Sequence, residues 1–414
     1  FRPMWQSGSE AVGAMGDDTP AAALSHLPRP LFHYFYQRFA EVTNPPIDPL
    51  RETQVMSLVQ RLGRRASMLA RGPEVARLLE LGSPVLSNEQ MAVLRNLGRY
   101  LPPERSADFH LTTLDATWAV AQGPAGLAAA LTQLTEQAVQ AAEAGASLLV
   151  ISDRRVNAAR AVIPALLALA AVHQRLIEAG RRTHVSLIVE SGEARDVHHL
   201  ATLVGYGASA VNPWLALETV VEELGAAGRH SEGLTSGQAV KNYCAALEKG
   251  LLKIMSKMGI ATADSYCGAH AGVFEALGLS REVMEAYFPG TPARLGGKGL
   301  DQIADDVLAW QRAAFPAQTD GNGSVSLESQ GLFKYKRGGE YHAYNPEVVR
   351  ALHEVVGLGR GGRGGKEGKG GKEGESGSVE ELKGAEGSHS AAQDGVVEAA
   401  YQSYASLVEQ RPPA

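Results

Sequence analysis

Cysteine is scarce in this chain: 414 residues hold two, Cys244 and Cys267, far apart and without CxxC spacing. That leaves no framework for a disulfide scaffold, a zinc ribbon or an iron–sulfur cluster, and it points to a reducing compartment. Long apolar runs are missing too. No stretch approaches the roughly 18 apolar residues of a membrane span, and the first ten residues lack the basic-then-apolar order of a secretion signal. A soluble protein without a membrane partner is expected. Basic excess is likewise absent: 39 Lys and Arg against 45 Asp and Glu give a net charge of -6. Phosphate contacts need a basic surface, so a nucleic-acid partner is not expected. What remains is a 44% hydrophobic chain, enough for one large core or two domains. It opens on Phe1 rather than Met and ends on Arg411, Pro412, Pro413 and Ala414, and we expect a piece of a longer polypeptide.

The middle of the chain alternates short apolar runs with segments of helical period. Ser147–Ile151, Val185–Glu190 and Ser209–Val211 read as buried parallel strands. Between them a helix after Pro164 is stopped by Gly180, and another over Val197–Val204 is halted by Gly205 and Gly207. This βαβαβ order predicts an α/β fold, a parallel sheet with flanking helices, over residues 111–356. Further helices are expected over Val240–Met258, with Gly259 as the stop, and over 269–277, 281–287 and 300–314. Residues 1–110 read as a helical, loop-rich part. There Pro30–Val42 carries Leu31, Phe32, Phe35, Tyr36 and Phe39 at helical spacing, and Asn44–Pro49, with three prolines, is an irregular loop. Between Gly357 and Gly377, 11 of 21 residues are glycine, interleaved with Lys, Arg and Glu. Such a segment cannot bury enough apolar area to offset its ordering entropy, so residues 357–395 are expected to be a disordered insertion and 396–414 a terminal helix.

Several constellations carry chemistry at first sight, each with a plainer rival. Glu190, Ser191, Glu193, Asp196, His198 and His199 cluster past a strand end, where open α/β sheets and barrels place ligands. Glu193–His199 also opens a helix, where acidic residues cap free N–H groups. Two histidines without a further ligand are weak metal evidence. Gly290–Gly299, with Arg294 and Lys298, resembles a phosphate cradle, yet it lacks the GxxxxGK[ST] spacing and reads as a loop leading into a helix. Cys267 has His270 three residues on, but Cys244 sits in a helical pattern and neither carries a nucleophile signature, so inert cysteines are expected. Asp17 and Asp18 suit acid–base work, or a cap ahead of Thr19 and Pro20. No self-sufficient active site emerges, and catalytic, cofactor-binding and metal residues are expected to be absent.

VGAMGDDTP (12–20), FAEVTNPPIDPLRE (39–52), SDRR (152–155), VESGEARDVHHLATLVGYGASAVNPWLALET (189–219), KGLLKIMSKMGIAT (249–262), FEALGL (274–279) and GGEYHAYNPEVV (338–349) follow one another in the order of the central domain of the glutamate synthase large chain. The chain resembles that domain from its first residues to the final helix, the glycine-rich insertion excepted. The resemblance implies a degenerate relative of a (β/α)8 FMN barrel, with no catalytic residue of its own. It implies a linker between an amidotransferase and an FMN and iron–sulfur domain of the same polypeptide. FMN and the 3Fe–4S cluster then belong to the parent enzyme, and the electron comes through a partner subunit or ferredoxin. The parent reaction makes two glutamates from glutamine and 2-oxoglutarate, in the cytoplasm, or in the plastid stroma of a photosynthetic eukaryote. Ammonia passing between the two sites needs a shielded path. Met15, Thr43 and Asn44, on proline-fixed loops, are the candidate lining; plain packing of those loops is the rival. Two other classes stay open: a free-standing α/β binding or scaffold module, and a small barrel enzyme using Glu190, Glu193 and His198.

Overall fold

The computed structural model describes residues 2–10, 16–38, 47–67, 69–226, 233–316, 329–359 and 391–409. Met15, Thr43, Asn44 and most of the 357–395 segment lie outside the described residues. The chain forms two compact units, Phe1–Met15 with Ala21–Glu328, and Gly16–Pro20 with Ser329–Ala414.

The strands, in chain order, are β1 (Phe35–Gln37), β2 (Gln60–Leu62), β3 (Leu79–Leu81), β4 (Leu111–Asp115), β5 (Thr117–Ala119), β6 (Leu148–Ser152), β7 (Arg160–Val162), β8 (Ser186–Glu190), β9 (Ala208–Asn212) and β10 (Phe274–Ala276). β4, β6, β8 and β9 form one parallel sheet in that order, as the βαβαβ pattern requires. β6, β8 and β9 are buried at every position, which is why their sequences run apolar without alternation. The alternation is hidden in the destinations. Leu149, Ile151, Leu187, Val189 and Val211 enter one core with the helices Ala125–Glu143, Ala165–Glu178, Val197–Gly205 and Ser236–Met258. Leu148, Val150, Ile188 and Ala210 enter a second core with Leu62, Leu86, Met91, Leu94 and Leu97 from the N-terminal part. Successive strand side chains point to opposite faces, so residues 62–97 cover one face, and the later helices, joined by Trp5, Phe32 and Phe35, cover the other.

Helices end where turn chemistry predicts. Gly259, at φ +68°, terminates Ser236–Met258 in the left-handed conformation that glycine adopts without strain. Two expected helices are corrected. Of Pro30–Val42, the described residues 30–38 give a 3-10 turn, Leu31–Tyr34, followed by β1, and residues 269–277 give only His270–Val273 followed by β10. The reason is shared: β1 and β10 pair antiparallel, Phe35 opposite Ala276, and this pairing between distant segments outcompetes local helical spacing. β4, whose two threonines hid it, adds a strand to the expected three.

In the second unit, helix Pro346–Gly359 packs on helix Ala391–Glu409. The first runs past residue 357 and the second starts before residue 396, so both helices take residues from the expected insertion.

Gly250 tests the helix–helix packing. A Cβ there would lie 2.3 Å from Val197 Cγ2, whereas one at Gly237 of the same helix would meet open space. Gly250→Val should lower stability by about 1–3 kcal/mol, read as an earlier urea midpoint at unchanged slope. Gly237→Ala should be neutral or stabilising by up to about 1 kcal/mol. Equal midpoints for both variants would show that the Ser236–Met258 helix is loosely packed.

Candidate functional site

Each strand of the parallel sheet ends on a polar residue: Asp115, Ser152, Glu190 and Asn212. The register aligns them, Asp115 opposite Ser152, Ser152 opposite Glu190 and Glu190 opposite Asn212. A polar row therefore crosses the carboxyl end of the sheet, the position where such sheets place ligands.

Glu190 stands in the middle of the row with its side chain 0% exposed. Its Oε2 accepts from Arg95 Nη2 at 2.6 Å and Ser152 Oγ at 2.5 Å, and its Oε1 from Arg154 Nε at 3.0 Å. Arg95 ends the helix Asn88–Arg95 of the N-terminal part, and Arg154 follows β6. Arg154 also lies 4.6 Å over the Trp214 ring and pairs with Glu218 at 3.1 Å. Asp153 is buried beside it and accepts from Trp214 Nε1 at 2.6 Å, Ser191 Oγ at 2.8 Å and the Gly192 amide. Burial outweighs those donors and pushes its carboxyl above the ordinary aspartate value. Asp115 takes Arg160 at 2.8 Å, and Asn212 donates to the Leu86 carbonyl at 2.9 Å.

Glu193 lies just beyond. Its Oε2 accepts the Ala165 amide at 2.6 Å, at the start of helix Ala165–Glu178. Burial pushes its carboxyl up to about 7. It borders a narrow cleft with Arg29, Tyr34, Asp306 and Trp310. Asp196 caps the next helix by accepting the His199 amide at 2.9 Å. Burial works to raise Asp196, but His199, His198 and that amide outweigh it and leave it low. His198 Nε2 donates to the Phe32 carbonyl at 2.9 Å, and the His199 ring stacks on Phe32 with 4.3 Å between centroids. Burial takes His199 down to about 4 and His33, beside it, to about 3, so both are neutral near pH 7.

The remaining candidates are dispersed and paired. Gly290–Gly299 is stitched to residues 276–280 through the Lys298 amide and the Pro292, Leu295 and Lys298 carbonyls, and the Lys298 side chain pairs with Asp306. Arg294 is exposed. Cys267 donates to the Ala208 carbonyl at 3.5 Å, while His270 stacks on Tyr206 at 5.1 Å. Burial raises both thiols, Cys244 to about 12, away from the thiolate form a nucleophile needs. Asp17 closes a local turn on Thr19 rather than a helix, and Asp18 belongs to the second unit. Among the described residues no hydrogen bond or ion pair joins Glu190, Glu193 and His198, and no group of His, Cys, Asp and Glu is arranged to hold a metal. Arg95, Asp153 and Trp214 escaped sequence reasoning. The readable signal was the polar residue ending every apolar strand.

The fold is an open α/β sheet whose carboxyl end carries polar side chains paired with one another and with neighbouring arginines. Comparison supplies the family. The sequence model of the glutamate synthase central domain matches residues 1–280, and the chain belongs to that family. It is 40% identical over 354 residues to the NADH glutamate synthase of Schizosaccharomyces pombe, covering 86% of this chain and 16% of that protein. It is 42% identical over 366 residues to ferredoxin-dependent glutamate synthase 2 of Synechocystis sp., covering 86% and 22%. To the NADPH glutamate synthase large chain of Bacillus subtilis it is 41% identical over 353 residues, covering 84% and 22%. The chain thus spans 16–22% of the length of these relatives. A flavocytochrome b2 variant with sulfite bound is similar at 14% identity and a TM-score of 0.30 over 50% of this chain and 46% of that one.

A carboxyl raised from 4.5 to about 7 binds more protons in the folded than in the unfolded chain, so Glu193 removes stability as pH rises between those values. Glu193→Gln keeps the acceptor for Ala165 and removes the charge. Relative to wild type, the variant should gain on the order of 1–3 kcal/mol between pH 5 and pH 8 in urea unfolding. A difference independent of pH would mean that Glu193 titrates as an ordinary carboxylate.

Proposed function

We propose that this chain is the linker of a glutamate synthase, joining the glutamine amidotransferase to the FMN and iron–sulfur part and shielding ammonia on its way between them. One observation carries the reading: the polar residues at the sheet end are taken up by one another. The chemistry is then done in the four-fifths of the relatives' length that lies outside this chain. The pairs of Glu190 with Arg95, Ser152 and Arg154 occupy the sheet end, which supports assigning FMN and the iron–sulfur cluster to the flanking part of the parent enzyme. Identity is about equal to the NADH, NADPH and ferredoxin forms, at 40%, 41% and 42%. The electron donor, reached through a partner subunit or ferredoxin, is therefore selected outside this chain.

Ammonia that meets bulk water near neutral pH takes up a proton and stops being a nucleophile. A linker that shields it must be rigid and must exclude water. A sheet buried on both faces and pinned at its end by ion pairs supplies rigidity. The wall itself is assigned to the loops carrying Met15, Thr43 and Asn44: a flexible apolar side chain, a small hydroxyl and an amide, with Pro45 and Pro46 limiting the backbone. The parent reaction is reductive transfer of the glutamine amide to 2-oxoglutarate, giving two glutamates. The compartment is the cytoplasm or the plastid stroma, in keeping with relatives named chloroplastic, such as that of Spinacia oleracea. No helix among the described residues is long and apolar enough to cross a membrane.

The isolated chain should show no glutaminase or glutamate synthase activity and should retain no flavin on purification. A bound flavin spectrum would return weight to a barrel enzyme using Glu190, Glu193 and His198. In the intact enzyme, Thr43→Phe or Met15→Trp should lower the glutamate formed from 2-oxoglutarate per glutamine hydrolysed. Externally supplied ammonia should still be used. Full coupling in both variants would reduce these loops to packing elements.

A further inference from the structure

Asp18 and His342 meet within the second unit although 324 positions separate them in sequence. The His342 side chain is only 8% exposed. Its Nδ1 lies 2.8 Å from Asp18 Oδ1, and its Nε2 lies 2.7 Å from the Gly331 carbonyl oxygen. A carboxylate and a peptide carbonyl can only accept hydrogen bonds. Both ring nitrogens must donate, and only imidazolium carries a proton on each. Asp18 in turn is held as a carboxylate: its Oδ2 accepts the Tyr344 amide at 3.1 Å, and against burial His342 and that amide keep its proton affinity below that of an ordinary aspartate. Other bonds continue from this pair. The Asp18 carbonyl accepts the Ala343 amide at 2.9 Å, and the His342 carbonyl accepts from Asn345 Nδ2 at 3.3 Å. Asn345 Oδ1 accepts the Glu347 and Val348 amides at 2.9 and 3.1 Å, capping the helix Pro346–Gly359.

We infer that His342 is a charge-dependent latch. As imidazolium it pins Gly16–Pro20 to the loop of residues 329–345 and to the cap of the following helix, and loss of its proton frees that segment. A neutral ring would leave a lone pair facing an oxygen at one end of the clamp, a charge-assisted hydrogen bond replaced by repulsion. The titratable groups facing the ring are Asp18 and Asp17 from the N-terminal segment and Tyr335, edge-on with 6.2 Å between centroids, from the loop. Of the loop's other charges, Glu340 meets the Tyr341 amide and Lys336 the Ser329 carbonyl, while Lys334 and Arg337 are exposed. Burial opposes both charges of the pair. The Gly331 carbonyl and Asp18 nevertheless hold His342 above the ordinary histidine value, and His342 with the Tyr344 amide holds Asp18 below the ordinary aspartate value. The contribution of His342 is therefore complete below its unfolded value of 6.5 and is lost as pH rises through the raised one. On the acid side it fails as pH falls through the lowered value of Asp18. The latch stands whatever the flanking parts of the polypeptide do.

The test is 15N NMR of the full chain labelled at histidine, with the His342 signals assigned by their loss in His342→Gln. At pH 7 both ring nitrogens should be protonated, titrating on the alkaline side of an ordinary histidine. Amide exchange of Ala343 and Tyr344, corrected for its intrinsic pH dependence, should accelerate about tenfold or more as pH passes that midpoint. Asp18→Asn should bring the midpoint back toward the ordinary value. A neutral tautomer at pH 7, or protection that does not change across the midpoint, overturns the latch. Should the variants fail to fold, the wild-type titration and exchange decide alone, with His342 assigned through its contacts to Gly331.

Discussion

Glu190 carries its charge where no water reaches it, at the end of a sheet buried on both faces, and this one carboxylate constrains much of its surroundings. Removing such a group from water costs several kcal/mol unless cations and donors surround it. Arg95, Arg154 and the Ser152 hydroxyl meet that demand. Each comes from a different element: the helix covering the second face, the loop after β6, and β6 itself. The three must dock together, since a lone absence leaves a buried charge incompletely paired. Arg154 then requires Trp214 beneath it, and the Trp214 indole donates to Asp153, which holds Ser191 and Gly192. One electrostatic requirement thereby ties four elements at the place where relatives of this architecture accept ligands.

The same pairing uses up polar groups that look catalytic in the sequence, and it supports the linker role proposed above. Asp153 and Glu190 are buried and turned toward protein donors, and Asp115, partly exposed, takes Arg160. The histidines tell the same story through burial. His33 and His199 are held neutral near pH 7 by the apolar shell around Phe32, and His198 is tied to a main-chain carbonyl. Side chains of this kind stiffen a domain.

Much of the architecture was legible. The strands at 148–152, 186–190 and 208–212 and the helices at 165–178 and 197–205 follow from length, apolar runs and glycine stops, and the helices read at 240–258, 281–287 and 300–314 from 3.6-residue spacing. The helix Trp214–Ala226 and the strand Arg160–Val162 were not read. The aromatic segment after Pro30 was misread because Phe32, Phe35, Tyr36 and Phe39 satisfy helical spacing, while Phe35 and Tyr36 also suit a strand. The choice was made by β10, more than two hundred residues away. The two threonines of β4 hid a strand that only its pairing with β6 reveals.

Sequence alone determined the family, the α/β class and the parallel strands, because these depend on local periodicity, composition and ordered motifs. It also placed acidic residues and histidines after β8. Which of them would be paired, and by what, rested on tertiary structure. Arg95 reaches Glu190 across 95 positions and Asp18 reaches His342 across 324, and no local spacing encodes contacts between such distant points. Their charge states follow from the same cause: burial and partner geometry set the proton affinity of Glu193, His199 and His342, and both exist only once the chain has closed on itself.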